Sequence, residues 1–482
     1  MQPIYILLCF IAYTILLFVV TWLTSRKTNN DSYYVGNKSS PWYIVAYGMI
    51  GASLSGVTFM SVPGDVGSTQ FTYMMMVLGF LAGYTVIATI LLPLYYRLNL
   101  TSIYSYLNQR FGFWSYKTGA FFFILSRVIG ASFRMYLVVN VLQIFVFDQW
   151  GVPFWLVVAI FIILIILYTF EGGVKTIIWT DTLQTTFMLL GLVLSIIFIS
   201  NELGLGMRDI INKVGDAGYT RMFNVNWQEK TFFAKQFFAG MFIAIVMTGL
   251  DQEMMQKNIS CKSLKEAQKN MFTFSGTLIV VNFLFLFLGA VLYLYATTKG
   301  IDIPKKTDDL FPMIAFNYLS PLAGLVFMVG LVSAAYPSAD GALTALTTSF
   351  CVDFLGFKDK SKLDEKQKKK IRYIVHISFA VLLLIVIMIF RSLNDEAVIR
   401  AIYTVAGYTY GPLLGLFAFG LFTKISIRDR YVWIVAILSP VCCYILSSFS
   451  QILFNGYKFG FELLILNGLL TFVGLLSLRK RK

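Results

Sequence analysis

Six charged residues stand out because long apolar stretches surround or adjoin them: Arg127, Arg134, Asp181, Asp251, Glu253 and Asp340. A charge at hydrocarbon depth is costly, so it faces a partner, a cavity or an ion path, and by default it marks a function. Arg127 and Arg134 lie seven apart in "SRVIGASFRMY" and share one helix face. Asp181 opens an apolar block in "IIWTDTLQ", and Asp251 and Glu253 close one in "TGLDQEMMQK". Asp340 lies well inside its block, in "SAAYPSADGALTALTTSF". There Pro337 frees backbone carbonyls while Ser338 and Asp340 add oxygen ligands, a set suited to a small hard cation. The plainer readings are that Glu253 and Asp251 reach cytoplasmic water, and that the arginines snorkel or pair with a carboxylate.

The stretch "GASLSGVTFMSVPG", Gly51 to Gly64, adds a second kind of signal. It is apolar enough to enter a membrane, yet rich in Gly, Ser and Thr, which weaken a helix or compete for its backbone bonds. Unwound backbone at membrane depth is tolerated where it lines a cavity or is buried in protein. Such discontinuous helices build substrate and ion sites in secondary transporters. Pro337 predicts a second interrupted helix of the same kind.

The elements that position these residues follow from composition. The chain is 58% hydrophobic and only 13% charged, where a soluble domain carries roughly 25% charged residues. Its apolar blocks of about 20 residues predict an all-α polytopic membrane protein, and the lack of period-two alternation excludes a β-barrel. Thirteen spans are expected, near 4–24, 41–64, 71–95, 118–146, 153–170, 177–200, 232–250, 270–296, 322–352, 372–390, 396–422, 431–450 and 460–478. The first lacks a basic flank and a cleavage-site pattern, and is read as a true span.

With that count, 26 basic residues fall in alternate loops and the tail, Lys257 among them, against 11 on the other side. The bias predicts an outside N-terminus and a cytoplasmic C-terminus. It also accounts for the net charge of +15 without a nucleic-acid partner. "KDKSKLDEKQKKKIR" is read as a topology anchor near anionic lipid. Cys9, Cys261, Cys351, Cys442 and Cys443 show no metal or redox spacing and are expected as free thiols. His376 is expected to pack. No nucleophile–base pair, metal cluster or phosphate loop points to an enzyme. A channel would favour a continuous polar pore, and a sensor a long soluble module. Neither is present.

At this point the residues resemble the sodium/solute symporter family, which includes bacterial proline, galactose and sialic acid carriers. "GASLSGVTFMSVPG" is similar to its first core helix, "LYTFEGGVKTIIWTDTLQ" to its two-helix signature, "SAAYPSADGALTALTTSF" to its eighth core helix and "GPLLGLFAFGLF" to its tenth. The resemblance implies a LeuT-type fold of inverted five-helix repeats. The first repeat would span 41–200 and the second 232–422. An extra helix at 1–30 and two more with a basic tail at 431–482 would flank them in one transporter domain. It implies Na+-driven import of a small polar solute (a sugar, sugar acid or other organic anion) by a monomer in the plasma membrane bilayer.

By motif, the main sodium site would take carbonyls of Gly51, Leu54 and Ala334 and the hydroxyl of Ser338, with Pro337 where relatives add another hydroxyl. A second sodium would lie at Asp181 and Asp340. A proton or an arginine such as Arg127 are the alternatives for neutralising that pair, and a proton is the alternative coupling ion. Solute positions would be Ser53, Ser55, Thr58, Tyr73, Arg127, Arg134, Phe242 and Asp251.

Overall fold

The computed structural model describes residues 1–24, 40–100, 102–169, 173–357, 364–394 and 396–480. The Phe170–Gly172 part of the signature and the lysines between 358 and 363 lie outside the described residues. Sixteen helices matter for the site. They are α1 (Pro3–Thr24), α2 (Trp42–Ser53), α3 (Gly56–Thr69), α4 (Tyr73–Arg97), α5 (Phe113–Leu142) and α6 (Phe154–Thr169). Next come α7 (Gly173–Glu202), α8 (Phe233–Gly249), α9 (Gln252–Ile259), α10 (Leu264–Lys299) and α11 (Pro321–Ser349). The last are α12 (Glu365–Leu393), α13 (Val398–Thr409), α14 (Gly411–Phe422), α15 (Val432–Ser448) and α16 (Leu463–Ser477). Among the described residues, eight segments are long and apolar enough to cross a membrane alone. Three more are bent pairs, and α6 and α16 contain shorter apolar segments.

The expected break in the first core helix is present. Helices α2 and α3 meet at 55°. Leu54 (ψ 88°) and Ser55 (ψ 178°) leave the helical region between them. The old ladder ends with Leu54 N–H donating to the Ile50 carbonyl at 2.8 Å, and the new one starts with Phe59 N–H donating to the Ser55 carbonyl at 3.1 Å. The last four carbonyls of a helix have no ladder partner, so those of Gly51 to Leu54 are released.

The break expected at Pro337 is absent: α11 runs through it without interruption. Every residue from 330 to 349 is buried, and packing on all sides holds the helix where proline removes one ladder bond. Two other breaks appear instead. Helices α8 and α9 meet at 67°, and α13 and α14 at 47°.

Both are closed by distant side chains. Tyr95 and Tyr104 donate to the carbonyls of Gly249 and Leu250 at 2.8 and 2.9 Å. Asp251 then caps α9 by accepting from Met254 N–H at 3.2 Å. At the other break the Asn467 amide donates to the Gly407 and Tyr408 carbonyls, both at 2.9 Å. His376 packs as expected, 3% exposed with Nδ1 3.0 Å from the Thr347 hydroxyl. The five cysteines are free thiols.

Outside the spans, a short turn at Thr307–Asp309 pins the far end of α3 to α13. The Thr307 carbonyl would lie 2.4 Å from a Cβ on Gly64, so only glycine fits this approach. Asp308 accepts from Val398 N–H at 2.9 Å and is 5% exposed. Burial raises its carboxyl to about 6 against hydrogen bonds from Val398 and Ser61, which favour the ionised form. A carboxyl raised in the folded state contributes stability below its unfolded value that is lost as pH rises through the folded one. Asp308→Asn is therefore expected to raise the melting temperature above about pH 6. The gain should fade as pH falls through the range from 6 to 3.8, which a pH series of thermal unfolding checks.

Candidate functional site

A cavity of about 70 Å³ opens beside the α2–α3 break, walled by α2, α3, α4, α5, α8, α9, α10 and α13. Of the expected solute residues, Ser53, Thr58, Tyr73, Arg127 and Arg134 line it. Ser55 is 3% exposed at the break itself, and Phe242 is half-buried on α8; neither lines it, although Ile243 and Ala244 do. Asp251 is fully buried off the cavity, with the Tyr410 hydroxyl donating to it at 3.4 Å. The walls also include Tyr84, Thr248, Asn282 and Tyr403, which the sequence reading did not single out. The Tyr73 and Tyr403 hydroxyls are 3.1 Å apart and both also line a larger cavity with Asp65 and Arg400 in its wall.

The two arginines on one face of α5 have different fates. Arg127 is 5% exposed and forms ion pairs with Asp251, at 3.6 Å, and with Glu253. This corrects the expectation that Glu253 reaches water: it is 3% exposed. It also excludes snorkelling for Arg127. Arg134, seven residues on, faces the cavity with no ion pair among the described residues.

Lys257, counted above among cytoplasmic loop charges, is also buried, at 3% exposure. Its ammonium lies 2.7 Å from Asp181 and 3.1 Å from Glu253, its i,i+4 neighbour on α9. Asp181, Lys257, Glu253, Arg127 and Asp251 thus form a continuous buried chain of charges across α7, α9 and α5. The i,i+4 spacing of Glu253 and Lys257 was the available sequence signal. Asp340 is fully buried on α11, within electrostatic reach of Tyr13 and Tyr336. The next residue, Gly341, lies against the Glu253 carboxylate.

At the α2–α3 break itself, no side-chain donor reaches the carbonyls of Gly51 to Leu54 among the described residues, unlike the two capped breaks. Thr185 accepts from Gly51 N–H at 3.0 Å and fixes the end of α2 on α7. Helix α11 packs on both α2 and α3. On it the Ser338 hydroxyl is buried without a hydrogen-bond partner. Uncapped carbonyls and an orphaned hydroxyl are hard oxygen donors, and they suit a small cation.

The family model for the sodium:solute symporter family matches residues 33–427. The chain belongs to this family. It is 26% identical over 423 residues to the sodium/sialic acid symporter SiaT of Proteus mirabilis, covering 85% of this chain and 82% of the relative. It is 26% identical to mouse sodium-coupled monocarboxylate transporter 1, covering 82% of this chain and 64% of that one. A solved structure of a substrate-bound, outward-open Na+-coupled sialic acid symporter shares its fold, with a TM-score of 0.85 at 20% identity over 99% of both chains. The fold is also that of Mhp1, a nucleobase-cation-symport-1 transporter, at a TM-score of 0.55 and 14% identity over 93% of this chain and 94% of that one. This symporter is therefore a sodium-coupled membrane transporter of a small solute, with Na+ as its co-transported ion, and not an enzyme.

Removing one partner of a buried ion pair leaves an uncompensated charge and costs about 3–5 kcal/mol. Arg127→Met should accordingly lower thermal stability sharply in detergent, by leaving Glu253 and Asp251 unpaired. Adding Glu253→Gln should restore much of the loss. Equal melting temperatures for the single variant and the parent would show that the pair adds nothing.

Proposed function

We propose that this symporter imports a small polar solute bearing a carboxylate, a sugar acid or a monocarboxylate, together with sodium. Arg134 carries the reading: it presents a guanidinium to the cavity that no protein carboxylate neutralises among the described residues. Arg127, by contrast, is already engaged by Asp251 and Glu253. A guanidinium binds a carboxylate through charge-assisted hydrogen bonds, with two parallel bonds where geometry allows. Ser53, Thr58, Tyr84 and Asn282 supply donors and acceptors for hydroxyls elsewhere on the solute. The names of the relatives support the class, since sialic acid and monocarboxylates both carry a carboxylate.

The sodium ion is assigned to the carbonyls of Gly51, Leu54 and Ala334 and the hydroxyl of Ser338. The uncapped break and the partnerless Ser338 oxygen support this placement. Bound there, the ion joins α2 and α3 to α11, and the cavity begins at the same break. Sodium and solute therefore favour one conformation, and alternating access of that site couples their movement.

The eight single segments, three bent pairs and two shorter apolar helices support thirteen spans in two inverted five-helix repeats. The basic-residue bias supports an outside N-terminus and a cytoplasmic C-terminus. The plasma membrane bilayer is the assigned location and a monomer the assigned unit.

Two measurements test this reading. In a thermal-shift screen, sialic acid or a short monocarboxylate should stabilise the protein more with sodium present than without it. Arg134→Gln should weaken that solute by about 1.5–3 kcal/mol, the range for a hydrogen bond to a charged group. A neutral best ligand, or full affinity in the variant, would rule out the carboxylate. Ser338→Ala should weaken sodium by about tenfold, or 1.4 kcal/mol. Unchanged sodium dependence of uptake into proteoliposomes would move the ion elsewhere.

A further inference from the structure

We propose that the Lys257 ammonium is a tethered cation occupying the position beside Asp181, so that this transporter binds one sodium ion and not two. It rests on the sodium site at Gly51, Leu54, Ala334 and Ser338 and adds to it the ion count.

The surroundings of Lys257 are those of a cation site. Asp181 Oδ1, beside Lys257, and the hydroxyl of Thr344, which lines a cavity with it, are buried without hydrogen-bond partners, as are the Gln184 side chain and the Thr348 hydroxyl one turn further along α7 and α11. Gln184 lies one turn from Asp181 on α7, and Gly341, Thr344 and Thr348 share one face of α11. A small cavity bounded by Lys257, Glu253, Gln256, Gly341 and Thr344 lies between these helices. Hard oxygens around a buried carboxylate would ordinarily take a small cation. Here the ammonium has taken it, 2.7 Å from Asp181 Oδ2.

Two features hold the ammonium in place. Glu253, one turn earlier on α9, grips it from the other side at 3.1 Å. Gly341 makes room for that grip, since a Cβ there would meet Glu253 Oε1 at 2.1 Å. Lys257 and Arg127 offset two of the three carboxylates in the chain, Asp181, Glu253 and Asp251, and Lys257 is the cation that meets Asp181. A sodium ion added beside Asp181 would be pressed against a fixed ammonium.

The test uses sodium alone, as radioactive 22Na+ binding to the purified full chain. The wild type should bind one ion per chain with a Hill slope near one. Lys257→Met vacates the position and should admit a second ion, giving two per chain and a steeper slope. Asp181→Asn/Lys257→Met removes both charges, so it should fold where the single variant fails and should bind one ion. Ser338→Ala separates this proposal from the main site: it should weaken the wild-type ion and spare the ion that Lys257→Met admits. Two ions in the wild type would overturn the proposal. So would one ion in a folded Lys257→Met protein, or loss of sodium from the doubly substituted one. A second ion in Lys257→Met that Ser338→Ala also removes would overturn it too.

Discussion

In hydrocarbon a backbone carbonyl has no water to bond, and each one left without a partner costs several kcal/mol, so a membrane helix that breaks must account for the groups it frees. Among its described residues this chain breaks three helices, and it does so in two ways. At Gly249–Leu250 the freed carbonyls receive tyrosine hydroxyls, and at Gly407–Tyr408 they receive an asparagine amide. Those bends are complete within the protein. At Gly51–Leu54 the carbonyls are released and no side chain of the described residues comes to them. The cavity reaches this bend at Ala52, Ser53 and Leu54, and α11, which carries the orphaned Ser338 hydroxyl, packs on both of its helices. A break left chemically unfinished is where we propose that a cation completes the structure.

The buried charges follow the same economy. A lone ion in this interior would carry a large desolvation penalty, so each carboxylate of the inner chain has a cation in contact. The chain joins α5, α7 and α9, helices that must keep their mutual register if the cavity above is to hold its shape. Once Arg127 is committed to that work, Arg134 is the guanidinium left for the cavity. Arg127, held in ion pairs, and Arg134, which we propose binds the solute, therefore sit two turns apart on one helix, and seven-residue spacing by itself does not tell them apart.

Much of this was legible in the residues, and the limits have physical causes. Span positions came from composition and length, and the first break from local helix propensity, because Gly, Ser and Thr act on their own backbone. The Pro337 break was misplaced because the packing that keeps α11 helical comes from residues distant in sequence. The break after Gly249 was missed for the converse reason: Tyr95 and Tyr104, which make it tolerable, lie more than a hundred residues away. Glu253 and Lys257 were assigned to water because their neighbours in sequence are lysine-rich, and only the fold folds α9 inward. Five of the eight expected solute residues line the cavity, while Asp251, the most conspicuous polar one, is turned to an ion pair.

In the proposed reading, the α2–α3 break also couples ion and solute. On that reading the released carbonyls of Gly51 to Leu54 are offered to the ion, while Ser53 and Thr58, on either side of the break, line the cavity. One irregular segment thus presents main chain to one ligand and side chains to the other. Any movement of α3 relative to α11 alters both sets of contacts together. Coupling free energy is reciprocal, so if sodium stabilises the arrangement that binds solute, solute must strengthen sodium binding by the same factor. The capped breaks at Gly249 and Gly407 lack this property, because their carbonyls are already bonded to side chains that travel with the protein. They can serve as bends in the frame, whereas the proposed sodium site puts the exchange of sodium-gradient free energy for solute binding at the uncapped one.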